Sequence, residues 1–134
     1  MLNVKKGVRV AIRDLNGNVL LLRRSADDKY PGSWELPGGA IEEGEEPKRA
    51  ALREVFEEAH IRLNSVRLWQ KIERERDGKK YTLYLFTTKN TKRISSLSKK
   101  HNLGQWFSPA NAITLPLAPG SAYAIHKMMR THCS

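Results

Sequence analysis

Along the chain the spacing of apolar positions changes several times, and each change marks an element. "VRVAIRD" (8–14) alternates apolar and polar positions and is rich in β-branched residues, the signature of a half-buried strand. "NGN" (16–18) is a hairpin turn signal, so "VLLLRR" (19–24) reads as the returning strand. "SADDKYPGS" is a polar loop, and "WELPGG" a short extended piece ending in glycines. The period then becomes helical from Pro47 to about Ala59. Proline suits a first helical turn, where its missing N–H costs nothing, and Glu45 and Glu46 suit the positive end of the dipole. "IRLNSVRLWQKIERER" and "KKYTLYLFTTK" predict two strands around the hairpin signal "DGKK". "QWFS" predicts a last short strand, Ser108-Pro109 one helical turn, and Ser121 the cap of a final helix through about Met129. The pattern ββ-loop-α-ββ-α implies one α/β or α+β domain over residues 1–134.

The helix after the glycines carries the chemistry. At 100° per residue, Ala51, Leu52, Val55, Phe56 and Ala59 share one side, the expected core face. Glu54, Glu57 and Glu58 share the other. Within the helix, Arg53 supplies a cation at i±4 to Glu57, whereas Glu54 and Glu58 have none at i±3 or i±4. Like charges at that spacing cost a few tenths of a kcal/mol per pair, roughly. Two readings follow: a solvated acidic face, or carboxylates gathered around a hard divalent cation, Mg²⁺ or Mn²⁺. The preceding "LPGGAIEEGE" favours the second, because Gly38 and Gly39 let backbone approach a ligand closely. Trp34, Tyr30 and Leu36 flank that loop, where each either stacks on a base or packs in the core.

Composition changes the picture only through charge. The 134 residues are ordinary in apolar content, and the net charge is +10. Residues 1–77 hold 15 Lys+Arg against 14 Asp+Glu, whereas residues 78–134 hold 9 Lys+Arg and no acid. A basic half beside an acidic cluster suits an anionic partner, and equally suits plain solubility through surface lysines such as those of "TKNTKR". Few aromatics interleave with those lysines, so any nucleic-acid binding is expected to be weak and electrostatic. No apolar run is long enough for a membrane span, "MLNVKKGVRV" lacks a signal-peptide core, and Cys133 is the sole cysteine. These features fit a cytoplasmic setting.

The chain reads Gly39, five residues, Glu45, seven residues, then Arg53-Glu54-Val55-Phe56-Glu57-Glu58-Ala59-His60-Ile61. This resembles the box of the Nudix hydrolases, G-x5-E-x7-R-E-U-x-E-E-x-G-U with U a bulky apolar residue. Every fixed position matches except the last glycine, here His60. "LLLRRSADDKYPGSWELPGG" and "GQWFSPANAITLPLAPG" are similar to the MutT-type subgroup in spacing as well as type. The resemblance implies an α/β/α sandwich with a mixed β-sheet. It also implies Mg²⁺- or Mn²⁺-dependent hydrolysis of a nucleoside diphosphate linked to another moiety, most simply a nucleoside triphosphate. Glu54, Glu57 and Glu58 would then hold metal, with the Gly38 carbonyl a further ligand. Glu45 would bind metal through water or steady the loop, and Arg53 would orient the glutamates. Arg24 would contact substrate phosphate, with Gly38, Gly39, Trp34 and Leu36 lining the substrate site.

Three positions depart from the subgroup. His60 stands where a glycine follows the helix, Pro119 where purine-reading members place an asparagine, and Lys100 where such members carry a glutamate that reaches the metals. The last departure and the basic half leave a second reading: a Nudix-fold module that binds nucleotide or RNA with little turnover.

Overall fold

The computed structural model describes residues 3–26, 30–90, 94 and 96–131. The acidic pair in "SADDKYPGS", the lysine and arginine of "TKNTKR" at 92 and 93, and Cys133 lie outside these residues. Strands β1 (Asn3–Arg13), β2 (Val19–Arg24), β3 (Trp34–Glu35) and β4 (Gly38–Ala40) precede helix α1 (Pro47–Ala59). Strands β5 (Arg67–Arg76), β6 (Lys79–Lys89) and β7 (His101–Phe107), then helices α2 (Pro109–Ala112) and α3 (Pro119–Thr131), complete the described chain.

One seven-stranded sheet runs in the order β3-β2-β1-β6-β5, with β4 also on β1 and β7 also on β2. It is mixed, because β1 pairs parallel to β6 from Asn3↔Lys79 to Arg13↔Lys89 while the other pairings are antiparallel. Alternation along β1 and β2 divides the core. Val8, Val10, Ile12, Leu20 and Leu22 pack with Ala50, Ala51, Val55 and Ala59 of α1 on one face. Ala11, Val19 and Leu21 pack with Ala124, Ile125 and Met128 of α3 on the other. The result is the expected α/β/α sandwich.

The turn at 14–18 forms as read: Asp14 Oδ1 accepts the Asn16 and Asn18 N–H groups, both at 2.9 Å, and Gly17 takes φ 81°. Its strands then part company, with only Arg13↔Val19 in register. β1 instead receives β4 at Gly7–Arg9, and β2 receives β7. This divergence opens the sheet where the glycine loop enters. At "DGKK", Asp77 (φ 52°) and Gly78 (φ 73°) give the two left-handed residues that a two-residue hairpin turn requires.

Two boundaries differ from expectation. β7 begins at His101, well before "QWFS", because Leu22 and Arg23 of β2 offer a ladder to Gly104 and Leu103. α3 starts at Pro119, so Ser121 is not its cap. The Ser121 hydroxyl is buried and accepts the Leu36 N–H at 2.9 Å instead.

His60 ends α1 in the left-handed region (φ 57°, ψ 33°), its N–H donating to Phe56 O at 2.9 Å. Its ring lies 4.5 Å from that of Phe56, a contact glycine cannot make. For His60→Gly, about 1–2 kcal/mol of relieved strain is offset by about 0.4–1 kcal/mol of unfolded-state entropy and about 0.5–1.5 kcal/mol of lost ring packing. The expected change in stability is therefore within about 1 kcal/mol of zero. A thermal melt shifted far outside that window would contradict this balance.

Candidate active site

Arg53 is the hub of the site. Its Nε and Nη2 donate to the two oxygens of Glu45 at 2.8 and 2.9 Å, a bidentate pair. Nη1 donates to Glu54 Oε1 at 2.9 Å and reaches both Glu57 oxygens at 3.2 and 3.3 Å. Nη2 also donates to the Ala40 carbonyl at 3.0 Å, tying the glycine loop to the helix. Glu45, which also accepts the Glu42 N–H at 3.1 Å, thus steadies the loop.

The α1 face differs from the amphipathic expectation. Glu54 and Glu58 are 6% and 3% exposed, while Leu52 and Phe56 are only partly buried. The correction has a steric cause. β4 lies on this side of the helix, and its glycines leave room for carboxylates. A Cβ on Gly39 would stand 2.6 Å from the Glu54 carboxylate. A Cβ on Gly38 would stand 2.0 Å from the Val8 carbonyl oxygen, so that position packs backbone against backbone. The Gly38 N–H donates to Glu58 Oε1 at 2.9 Å. Glu57 stays half exposed and faces out from the same cluster.

Burial dominates the electrostatics. It pushes the Glu54 carboxyl up, against the bond and charge of Arg53 and the weaker pull of Lys100, with Glu57 adding to the rise. Burial likewise pushes Glu58 up to about 7, although the Gly38 N–H and the charges of His101 and Arg9 oppose it. Two buried carboxylates held above their ordinary range are under-compensated by the protein's own cations. Their donor set is all oxygen, which fits a hard divalent ion.

Three expected substrate residues have partners within the protein. The Leu36 side chain is fully buried, so it is a core residue and cannot line a ligand site. Trp34 is 7% exposed, its ring edge-on to Phe107 at 5.0 Å, which assigns it to packing as well. Arg24 donates from Nε to Glu35 Oε1 at 2.8 Å and lies over the Tyr30 ring. Lys100 is exposed, yet its loop is pinned: the Ser25 N–H donates to the Lys100 carbonyl at 2.9 Å and the Ser98 N–H to the Glu58 carbonyl at 3.2 Å.

One functional neighbour escaped the sequence. Glu35 is buried among Arg24, Arg9 (3.5 Å) and His101, whose Nε2 lies 2.7 Å from Oε2. An ionised carboxylate can only accept, so Nε2 carries the proton. Burial alone would raise Glu35, but the His101 bond and the two arginines hold it down at about 2. Glu35, Glu58 and His101 bring ligand atoms within 4.8 Å of one another. Because Glu35 is already neutralised, this trio reads as a brace that holds β3, β7 and α1 together. The signal was a lone acid between Trp34 and Leu36, two core residues.

The comparisons agree with this geometry. The profile of the NUDIX domain matches residues 4–128. The chain is 30% identical to the 8-oxo-dGTP diphosphatase of Escherichia coli (strain K12) over 119 residues, 89% of this chain and 92% of that protein. It is 32% identical to diphosphoinositol polyphosphate phosphohydrolase 3-beta of Bos taurus over 112 residues, 81% of this chain and 66% of that one. The MutT protein of Methanosarcina mazei Go1 superposes with a TM-score of 0.82 at 26% identity, covering 99% of this chain and 98% of its own. With the glycine loop, the arginine hub and the buried glutamates in one place, the chain belongs to the Nudix family, as a hydrolase of MutT type.

Proposed function

We propose that this chain, as a single Nudix domain, hydrolyses a phosphoric anhydride in a nucleoside diphosphate linked to a second group, with Mg²⁺ or Mn²⁺ as cofactor. The observation that carries the reading is the burial of Glu54 and Glu58 against Gly38 and Gly39, with Arg53 fixing the set. Both relatives named above act on compounds with phosphoanhydride bonds, which is the shared chemistry. Glu54, Glu57 and Glu58 would hold the metal, and the Gly38 carbonyl would be a further ligand. A bound divalent ion supplies charge neutralisation at the diphosphate and an acidified water. The chain's own part is positioning: Arg53 locks the three carboxylates, and Glu45 locks Arg53. Glu58 accepts the Gly38 N–H, which holds its carboxylate against the glycine loop.

The test is release of phosphate or pyrophosphate from a panel of nucleoside triphosphates, sugar nucleotides and dinucleoside polyphosphates with Mg²⁺. Metal-dependent release from at least one member is expected. No release from any would favour a binding module.

Lys100 modulates the site. Its charge acts on Glu54 from a loop pinned to β2 and α1, so it opposes cation binding at the carboxylates. Lys100→Glu is expected to lower the Mg²⁺ concentration for half-maximal rate. An unchanged or higher requirement, with a raised KM, would instead make Lys100 a phosphate contact.

A further inference from the structure

Beside the glycine loop lies a cleft of about 560 Å³ between the sheet and α3. Its floor is set by register. Lys5 of β1 pairs with Tyr81 of β6, and Tyr81 pairs with Arg74 of β5. Paired residues on neighbouring strands project to one face, so lysine, tyrosine and arginine form one row across three strands. All three line the cleft and are exposed, as is usual for side chains waiting on solvent or a ligand. Tyr123 of α3 lines the opposite wall.

The charge in that row is uncompensated. Among the described residues, neither Lys5 nor Arg74 forms an ion pair with a carboxylate. Alternation explains this. Glu73 and Glu75 flank Arg74 in sequence and so fall on the opposite face, where Glu73 meets Lys71 at 3.5 Å and Lys80 at 3.8 Å. The same hairpin therefore has a neutralised face and a cationic face, and the cationic one is the cleft floor.

The row is also remote from the carboxylates. The glycine loop joins β1 at the other end of the cleft, with Gly38 opposite Arg9 and Gly39 opposite Val8. Four residues of strand separate Arg9 from Lys5, a rise of about 13 Å. A diphosphate held at the glycine loop would thus leave the rest of its molecule lying towards Lys5, Tyr81 and Arg74. At the α3 end the cleft offers Pro119 and Gly120, neither with a side-chain hydrogen-bonding group to read a base edge.

We infer that Lys5 and Arg74 form a second anion subsite, so that the preferred substrate is a diphosphate whose ring carries a further phosphate monoester at the end away from the scissile bond. This rests on the hydrolase reading for the position of the diphosphate. Arg74 supplies a planar fork and Lys5 a point charge for the distal phosphate, with the ring between Tyr81 and Tyr123.

The test compares binding of ADP and 3′-phosphoadenosine 5′-diphosphate by calorimetry, with EDTA to prevent turnover and at one ionic strength. The 3′-phosphorylated ligand is expected to bind at least tenfold tighter. The double variant Lys5→Ala, Arg74→Gln should remove most of that preference while changing the Kd for ADP less than threefold. A control, Lys71→Ala with Lys80→Ala, removes the same charge from the opposite face and should keep the preference. Equal Kd values in the wild type, or a preference lost equally in the control, would overturn the subsite. Binding is read without turnover, so a preference in a protein that releases no product would sink the hydrolase reading and leave the subsite standing.

Discussion

Glu57→Gln is expected to lower kcat by about 10²-fold or more, the scale of losing one preorganised electrostatic contact in a transition state. Three observations set that size. Glu54 and Glu58 are buried, so Glu57 is the carboxylate of the set that faces outward, where a substrate-bound cation would sit. Its side chain is 53% exposed and its bonds are to Arg53, at 3.2 and 3.3 Å. An exposed i,i+4 pair of this kind contributes about 0.3–0.5 kcal/mol to stability, so the fold should be almost untouched. The amide keeps the shape and removes only the charge. Steady-state kinetics at saturating Mg²⁺, paired with a thermal melt, would show the split. Glu43→Gln, in the exposed part of the loop, should leave kcat alone. A Glu57→Gln enzyme within threefold of wild type would refute the metal-site reading.

The spacing of the box was legible because it is local. Gly39, Glu45, Arg53 and the three glutamates lie within two dozen residues, and helical geometry sets Glu57 one turn beyond Arg53 and Glu58 one turn beyond Glu54. Pro47 and the handover at His60 were legible for the same reason. Ala51, Val55 and Ala59 are buried as expected, and what the sequence hid was how far burial extends round α1. Hydrophobicity places Leu52 and Phe56 inwards, but β4 packs its glycines over Glu54 and Glu58 and turns carboxylates into interior groups. That extension needs the loop and the helix together. Contacts set by long-range register were hidden more deeply. β1 and β6 pair in parallel across more than half the chain, so nothing near Lys5 announces Tyr81 or Arg74. His101 and Glu35 likewise meet only because β7 joins β2. Trp34 and Leu36, beside a glycine loop, had the surroundings of ligand contacts and the burial of core.

Glu35→Gln is expected to cost about 3 kcal/mol of stability near neutral pH, the equivalent of holding a carboxyl at about 2 rather than 4.5. The residue is 3% exposed and is the shared partner of Arg24, Arg9 and His101. An amide there leaves two guanidiniums beside a neutral group, and its NH2 group opposes either Arg24 Nε or His101 Nε2, both donors. For a chain of this size the melting temperature should fall by about 10 °C. The pH dependence identifies the cause. The folded-state value is depressed, so the charge contributes fully above about 4.5 and is lost as pH falls towards about 2. The gap between wild type and Glu35→Gln should therefore be largest at neutral pH and narrow as the wild-type carboxyl takes up its proton. Denaturant melts at neutral pH and at two acidic values would trace it. A gap of the same size at pH 2.5 would mean that shape, not charge, is what Glu35 supplies. Because Arg24 and His101 belong to β2 and β7, the same variant should loosen the loop that carries Lys100, linking this brace to the carboxylates of α1.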